Sequence, residues 1–207
     1  MARQRLAGRE RARKIIEAAM GLFARRGFRG VTSREIAAAA GVSEALIFKH
    51  FPRKDSLYHA ILEAKLEESA SVAADDAALR LLGDEAYLAG VASDIMTRVD
   101  RDDTFLRLLL HSALEGHPLA GEFRRIRIDR VRERIARRIR LRYARRRWQA
   151  PVDPAVAARI FSGMILASLL HRHIFHDPQV SRVPIGKWSR TLARVFLKGL
   201  EPAEGRQ

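Results

Sequence analysis

The residues best placed to do chemistry are the polar and basic ones between Thr32 and Lys54, and they suit holding a polyanion rather than turning over a substrate. Thr32 and Glu35 stand at capping-box spacing, the hydroxyl able to accept from one orphan amide of a helix start and the carboxylate from another. Ile36 and the alanines behind it form a narrow apolar face, Gly41 permits a sharp turn, Val42 can plug the angle, and Ser43 caps the next helix. A short helix, a glycine turn and a second short helix make a helix-turn-helix, whose second helix enters a major groove by its N-terminal end.

Catalytic and metal chemistry find less support. The absence of cysteine excludes disulfides, thiolate zinc sites and cysteine nucleophiles. No Gly-rich phosphate loop is present, and no Ser/His/Asp or paired-carboxylate pattern stands in a recognisable context, so neither an enzyme nor a cofactor is expected. His171, His173 and His176 invite a metal, but only His173 and His176 share a helical face and Asp177 is the sole local carboxylate. Histidines at a helix C-terminus also suit its dipole, so no metal site is expected.

Charge is segmented along the 207 residues. Residues 1–54 carry 13 Lys and Arg against 4 acids, residues 55–121 carry 5 against 13, and residues 122–147 carry 13 against 3. The net charge of +15 suggests a polyanionic partner. The reversal near residue 55 marks a candidate boundary between a domain of residues 1–55 and one of 56–207. The longest apolar run, Ile160 to Leu170, falls short of the roughly 20 residues a bilayer span needs, and the N-terminus lacks a signal-peptide pattern, so a cytoplasmic protein with no membrane partner is expected.

Strand signals are nearly absent and apolar residues recur at three-to-four spacing, which predicts an all-α chain of about nine helices. The first runs from Arg9 to Arg26 with Ile15, Ile16, Ala19, Leu22 and Phe23 buried, and Gly27 ends it with Phe28 as a seal. The basic arm Met1 to Lys14 is expected either to trail free or to brush a minor groove. Short helices follow Thr32 and Ser43, and a fourth starts near Lys54. Asp84 is expected to cap a fifth, and Asp102-Asp103 to open a sixth that ends at Gly116-His117-Pro118. The seventh spans Glu122 to Arg147, its 13 arginines wrapped around a stripe of Ile128, Val131, Ile135 and Ile139. Asp153 and Pro154 start an eighth through about Phe175, and a last helix covers Lys187 to Leu200.

The stretch from about residue 10 to 58 resembles the DNA-binding domain of the tetracycline-repressor (TetR) family of bacterial regulators. The likeness rests on Gly27, Phe28, Thr32, Arg34, Glu35, Ile36, Ala37, Gly41-Val42-Ser43, Ile47-Phe48, His50-Phe51 and Lys54 in one register. The resemblance implies that Arg34 faces the major groove, Glu44 and Ala45 face base edges, and Phe48 lies where it can meet a thymine methyl. It further implies that Thr32, Lys49, His50 and Lys54 hold phosphates, with Ser33 and Ser43 beside them. Leu46 and Phe48 depart from the threonine and tyrosine frequent in the family, and Glu44 brings a negative charge near DNA.

The same resemblance implies a three-helix head on a larger helical bundle that dimerises through its two C-terminal helices and senses a small-molecule effector. Gly163, Met164, Ala167, Leu170, Trp188, Leu192, Val195 and Phe196 are the expected dimer interface. Asp94, Phe105, Leu109, His111, Glu115, Leu166 and Leu170 are the expected pocket lining. The function so implied is a sequence-specific, homodimeric regulator, a repressor released from a palindromic double-stranded DNA operator by a ligand. The alternative is a non-specific nucleic-acid or acidic-surface binder using the arginine-rich helix 122–147.

Overall fold

The computed structural model describes residues 2–70 and 82–202, with side chains for 8–67 and 82–202. Every regular element among the described residues is helical. In chain order they are α1 (Ala2–Arg26), α2 (Ser33–Ala40), α3 (Glu44–His50), α4 (Lys54–Ala70), α5 (Asp84–Arg101), α6 (Thr104–Leu114) and α7 (Pro118–Phe123). A π turn (Arg124–Ile128) leads to α8 (Asp129–Arg146), followed by α9 (Pro154–His173), α10 (Pro178–Ser181) and α11 (Ile185–Lys198).

The expected helices are all present among the described residues, with α10 additional. Helix α1 starts at Ala2 rather than Arg9, because Arg, Gln, Leu and Ala favour helix and Gly8 alone interrupts them. The basic arm is therefore helical from Ala2 to Lys14, while Met1 and the side chains of residues 2–7 lie outside the described residues. The expected seventh helix begins earlier, at Pro118, and passes through the π turn. His117 caps it, its Nδ1 accepting from the Leu119 amide at 3.3 Å.

Packing groups these helices into two compact units: α1–α4 with residues 104–125, and residues 82–103 with 126–202. The expected boundary at residue 55 falls in the first turn of α4. In the first unit Ile15, Ala19 and Phe23 of α1 meet Ile36, Ile47, Leu57, Tyr58, Ile61 and Leu62, and Leu108 and Leu119 join the same core. The four-residue spacing of the α1 trio puts one stripe inward, and burying Phe23 fully stabilises the fold by about 1.5–3 kcal/mol. Phe23, Phe28, Tyr58 and His117 stack around it with ring centroids 4.3–5.6 Å apart.

In the second unit α11 lies along α5 and α9 along α8. Met96, Ile135, Ile139, Phe161, Ile165 and Phe196 are buried between them. Asp153 caps α9 as expected, accepting from the amides of Ala155 at 2.8 Å and Val156 at 3.0 Å. Among the described helices α9 is long and apolar enough to cross a membrane by length and composition, with a mean hydropathy of 1.4. Ala157, Phe161, Ile165 and Leu169 along one side of it are core residues.

Asp84 is not the cap of α5. Gly83 occupies that position without a side-chain bond. The Asp84 carboxylate instead accepts from Arg138 Nε at 2.8 Å, Arg142 Nη1 at 3.3 Å and Arg145 Nη2 at 3.1 Å. Arginines spaced four and three apart on one face of α8 outcompete the backbone amides for it.

Candidate nucleic-acid interface

The helix-turn-helix is assembled by short-range capping and held by long-range bonds. Thr32 Oγ1 accepts from the Glu35 amide at 3.3 Å while Glu35 Oε2 accepts from the Thr32 amide at 2.8 Å, completing the capping box. The Arg26 guanidinium reaches the second Glu35 oxygen at 2.8 Å and also bonds the Gly30 carbonyl. The Thr32 amide, then Arg26 and the Thr32 hydroxyl, hold the Glu35 carboxyl down at about 2. Gly41 ends α2 at φ +65, in the left-handed region its turn demands. Ser43 caps α3 by accepting from the Leu46 amide at 3.3 Å.

Helix α3 then presents two faces. Ile47 is buried in the core, whereas Glu44, Ala45, Phe48 and Lys49 are exposed, Phe48 by 47%. His50 and Leu46 are half-buried, as is Ser33, and Thr32 and Arg34 are exposed on and beside the start of α2. Arg34 and Lys49 form no ion pair or side-chain hydrogen bond among the described residues, so their charge is available to phosphate or base.

Lys54, expected to hold a phosphate, also makes bonds within the chain. Its ammonium donates to the Phe28 carbonyl at 2.6 Å and the Val31 carbonyl at 2.9 Å, and lies 4.1 Å from the centre of the Phe28 ring. Burial lowers its pKa, against the pull of Asp55 and Glu115. It latches the loop before α2 to the start of α4, and that double bond to carbonyls is why it is drawn inward. Arg29 and Arg53, not among the expected contacts, are exposed cations on the loops that flank the helix-turn-helix.

The expected pocket residues fall in both units, four in the first and three in the second. Phe105 packs its ring on Phe123 at 5.1 Å, and Leu109 packs on the core of the first unit. Glu115 accepts from the Phe28 amide at 2.9 Å and His111 lies against Gly27. In the second unit Asp94 pairs with Arg98, Leu170 is half-buried, and Leu166 is 45% exposed. Two surface cavities, about 100 Å³ beside Tyr58 and His117 and about 340 Å³ beside Asp84 and Arg142, are lined by none of the seven.

Of the expected interface residues, Gly163, Ala167 and Val195 are exposed, and Met164, Leu170, Trp188 and Leu192 are half-buried. Phe196 differs: it is 6% exposed and packs on Phe161 at 4.9 Å within its own chain. Trp188 donates from Nε1 to Ser168 Oγ at 2.9 Å, tying α11 to α9. His171 faces Asp177 at 3.2 Å and His173 faces Asp100 at 3.8 Å, so the two histidines serve different carboxylates.

Residues 15–61 match the family described as "Bacterial regulatory proteins, tetR family". The chain is 30% identical over 170 residues to the nucleoid occlusion factor SlmA of Photobacterium profundum, spanning 77% of this chain and 82% of that protein. It is 30% identical over 173 residues to the HTH-type transcriptional repressor Rv1474c of Mycobacterium tuberculosis, spanning 82% and 86%. Other matches are shorter: the chain spans 32% of one regulator at 40% identity over 60 residues. Among solved structures it is similar to the transcriptional regulator FadR of Bacillus subtilis in complex with stearoyl-CoA, at a TM-score of 0.71 and 16% identity, covering 91% of this chain and 98% of that one.

Proposed function

The chain belongs to the TetR family of bacterial regulatory proteins, and from that premise we propose that it is a homodimeric repressor that occupies a roughly palindromic operator and leaves it when a small molecule binds. The observation that carries the reading is α3, with Ile47 anchored in the core and Glu44, Ala45, Phe48 and Lys49 turned out. Arg34 on α2 adds a fork suited to guanine, and Thr32, Lys49 and His50 supply phosphate contacts. Arg29 and Arg53 take the place expected of Lys54.

A symmetric operator requires two heads, and the apolar residues left outside on α9 and α11 support pairing. Val156, Ile160 and Val195 are 48%, 51% and 59% exposed. On α9 Val156, Ile160, Gly163 and Ala167 repeat at four and three residues, an apolar stripe with a small-residue centre. Release follows if the effector binds the conformation with spread heads more tightly than the one that fits the operator. The stearoyl-CoA held by FadR supports a small-molecule effector here as well.

Selection of bound duplexes from random DNA tests the operator. Enrichment of two half-sites related by a two-fold axis is expected, with preference for that duplex surviving a rise in salt. Binding that falls equally for all duplexes would instead make the protein a non-specific polyanion binder. Light scattering of the purified protein tests the pair, and a monomer at micromolar concentration would overturn it.

A further inference from the structure

The second unit contains a cationic concavity that operator recognition does not use. A cavity of about 340 Å³ is lined by Gly83, Asp84, Arg142, Arg145 and Arg146. Its size lies within the roughly 300–1,000 Å³ of small-molecule sites. Arg142 and Arg146 lie 5.3 and 5.1 Å from the Trp148 ring, which holds both guanidinium groups in place.

Charge at this place is out of balance. Asp84 faces Arg138, Arg142 and Arg145, Glu201 faces Arg142 at 3.3 Å, and Arg146 adds a further cation. Four guanidinium groups against two carboxylates leave an excess of positive charge. Arg142 is only 9% exposed, and its Nε is buried with no hydrogen-bond partner. A buried donor without an acceptor is unfavourable, more so on a charged group. The cavity also abuts the N-terminus of α5, whose cap Gly83 brings no side-chain acceptor to its first amides.

We propose that this cavity is a binding site for a phosphorylated small molecule, its phosphate held by Arg142, Arg145 and Arg146. Planar forks with several donors match phosphate oxygens in pairs, which a lysine cluster would not do. Asp84, which also lines the cavity, pairs with Arg138, Arg142 and Arg145 and so positions the forks. A concave site suits a compact anion rather than a length of nucleic-acid backbone.

Titration calorimetry of the full chain with inorganic pyrophosphate in low-chloride buffer tests the site. One saturable event per chain is expected. Replacing Arg145→Gln and Arg146→Gln together, both exposed positions, weakens binding by about tenfold or more with the melting temperature retained. Arg34→Ala leaves pyrophosphate binding as it was. The proposal falls if the wild-type chain shows no saturable binding, or if the double variant binds equally well. It also falls if Arg34→Ala abolishes the signal, placing the anion on the operator face, or if the double variant loses duplex affinity while keeping pyrophosphate. None of these readings depends on which operator the protein recognises.

Discussion

In the helix-turn-helix, Arg34 and Lys49 stand exposed with no carboxylate bonded to them, whereas on α8 Arg138, Arg142 and Arg145 converge on the single carboxylate of Asp84. Both stretches are strongly basic in sequence. The difference lies in what the fold brings opposite them. In the head, the nearby acid Glu35 is committed to Thr32 and Arg26, so it does not quench Arg34. In the second unit, a helix 54 to 61 residues earlier in the chain delivers its first carboxylate beneath the arginines. Net charge predicts attraction to a polyanion; the position of the counter-charges decides which surface delivers it.

The sharpest way to break this contrast is Asp84→Ala. Burial pushes the Asp84 carboxyl up, yet the bonds from Arg138 and Arg142 and the charge of Arg145 win, leaving it below its ordinary range. Removing it deprives the mostly buried Arg138 and Arg142 of their shared carboxylate, leaving only Glu201 beside Arg142, and a loss of about 3 kcal/mol is expected in urea unfolding. A change of a few tenths would mean that the arginines are solvated and that the two regions do not differ.

Next in size is a pair of substitutions in the head. Arg34→Ala is expected to weaken operator binding by about 1–3 kcal/mol while leaving the melting temperature nearly unchanged. Lys54→Met should do the reverse, costing about 1–3 kcal/mol of stability through the lost bonds to Phe28 and Val31. Its salt dependence of binding should stay as in the wild type, because no phosphate contact is removed. A salt slope reduced by about one would return Lys54 to the DNA-contacting set.

Smaller again is Thr32→Ala, which removes the α2 cap and should lower stability by about 1 kcal/mol. The last prediction concerns acid. Because the folded state holds Glu35 at about 2, below the ordinary 4.5, its contribution is complete above pH 4.5 and is lost as pH falls toward 2. Melting curves of wild type and Glu35→Gln should therefore converge through that window, and a constant gap would break the capping-box account.

Features set by residues within four positions of one another were legible from sequence: the capping box at Thr32, the Gly27 and Gly41 turns, and the Asp153-Pro154 start of α9. Their energetics are local, so the chain order contains them. The inward bonds of Lys54 were not legible because the carbonyls that accept them lie 26 and 23 residues away. Asp84 was misread for the same reason, at greater distance. Phe196 shows a different limit: apolar character alone does not say which of two adjacent residues faces out, and it is packing on Phe161 that turns Phe196 inward while Val195 stays exposed. The cationic cavity had no sequence signature beyond an abundance of arginine.

Gly27 adopts φ +71, and a Cβ there would run into the Glu115 carboxylate that accepts from the Phe28 amide. The loop that leads into α2 is thus sutured to a segment read almost ninety positions later. A chimera grafting residues 1–55 alone onto a foreign body would arrive with that seam open and with Phe23 and Phe28 stripped of part of their cover. Transplanting the reader intact means carrying residues 104–125 along with it.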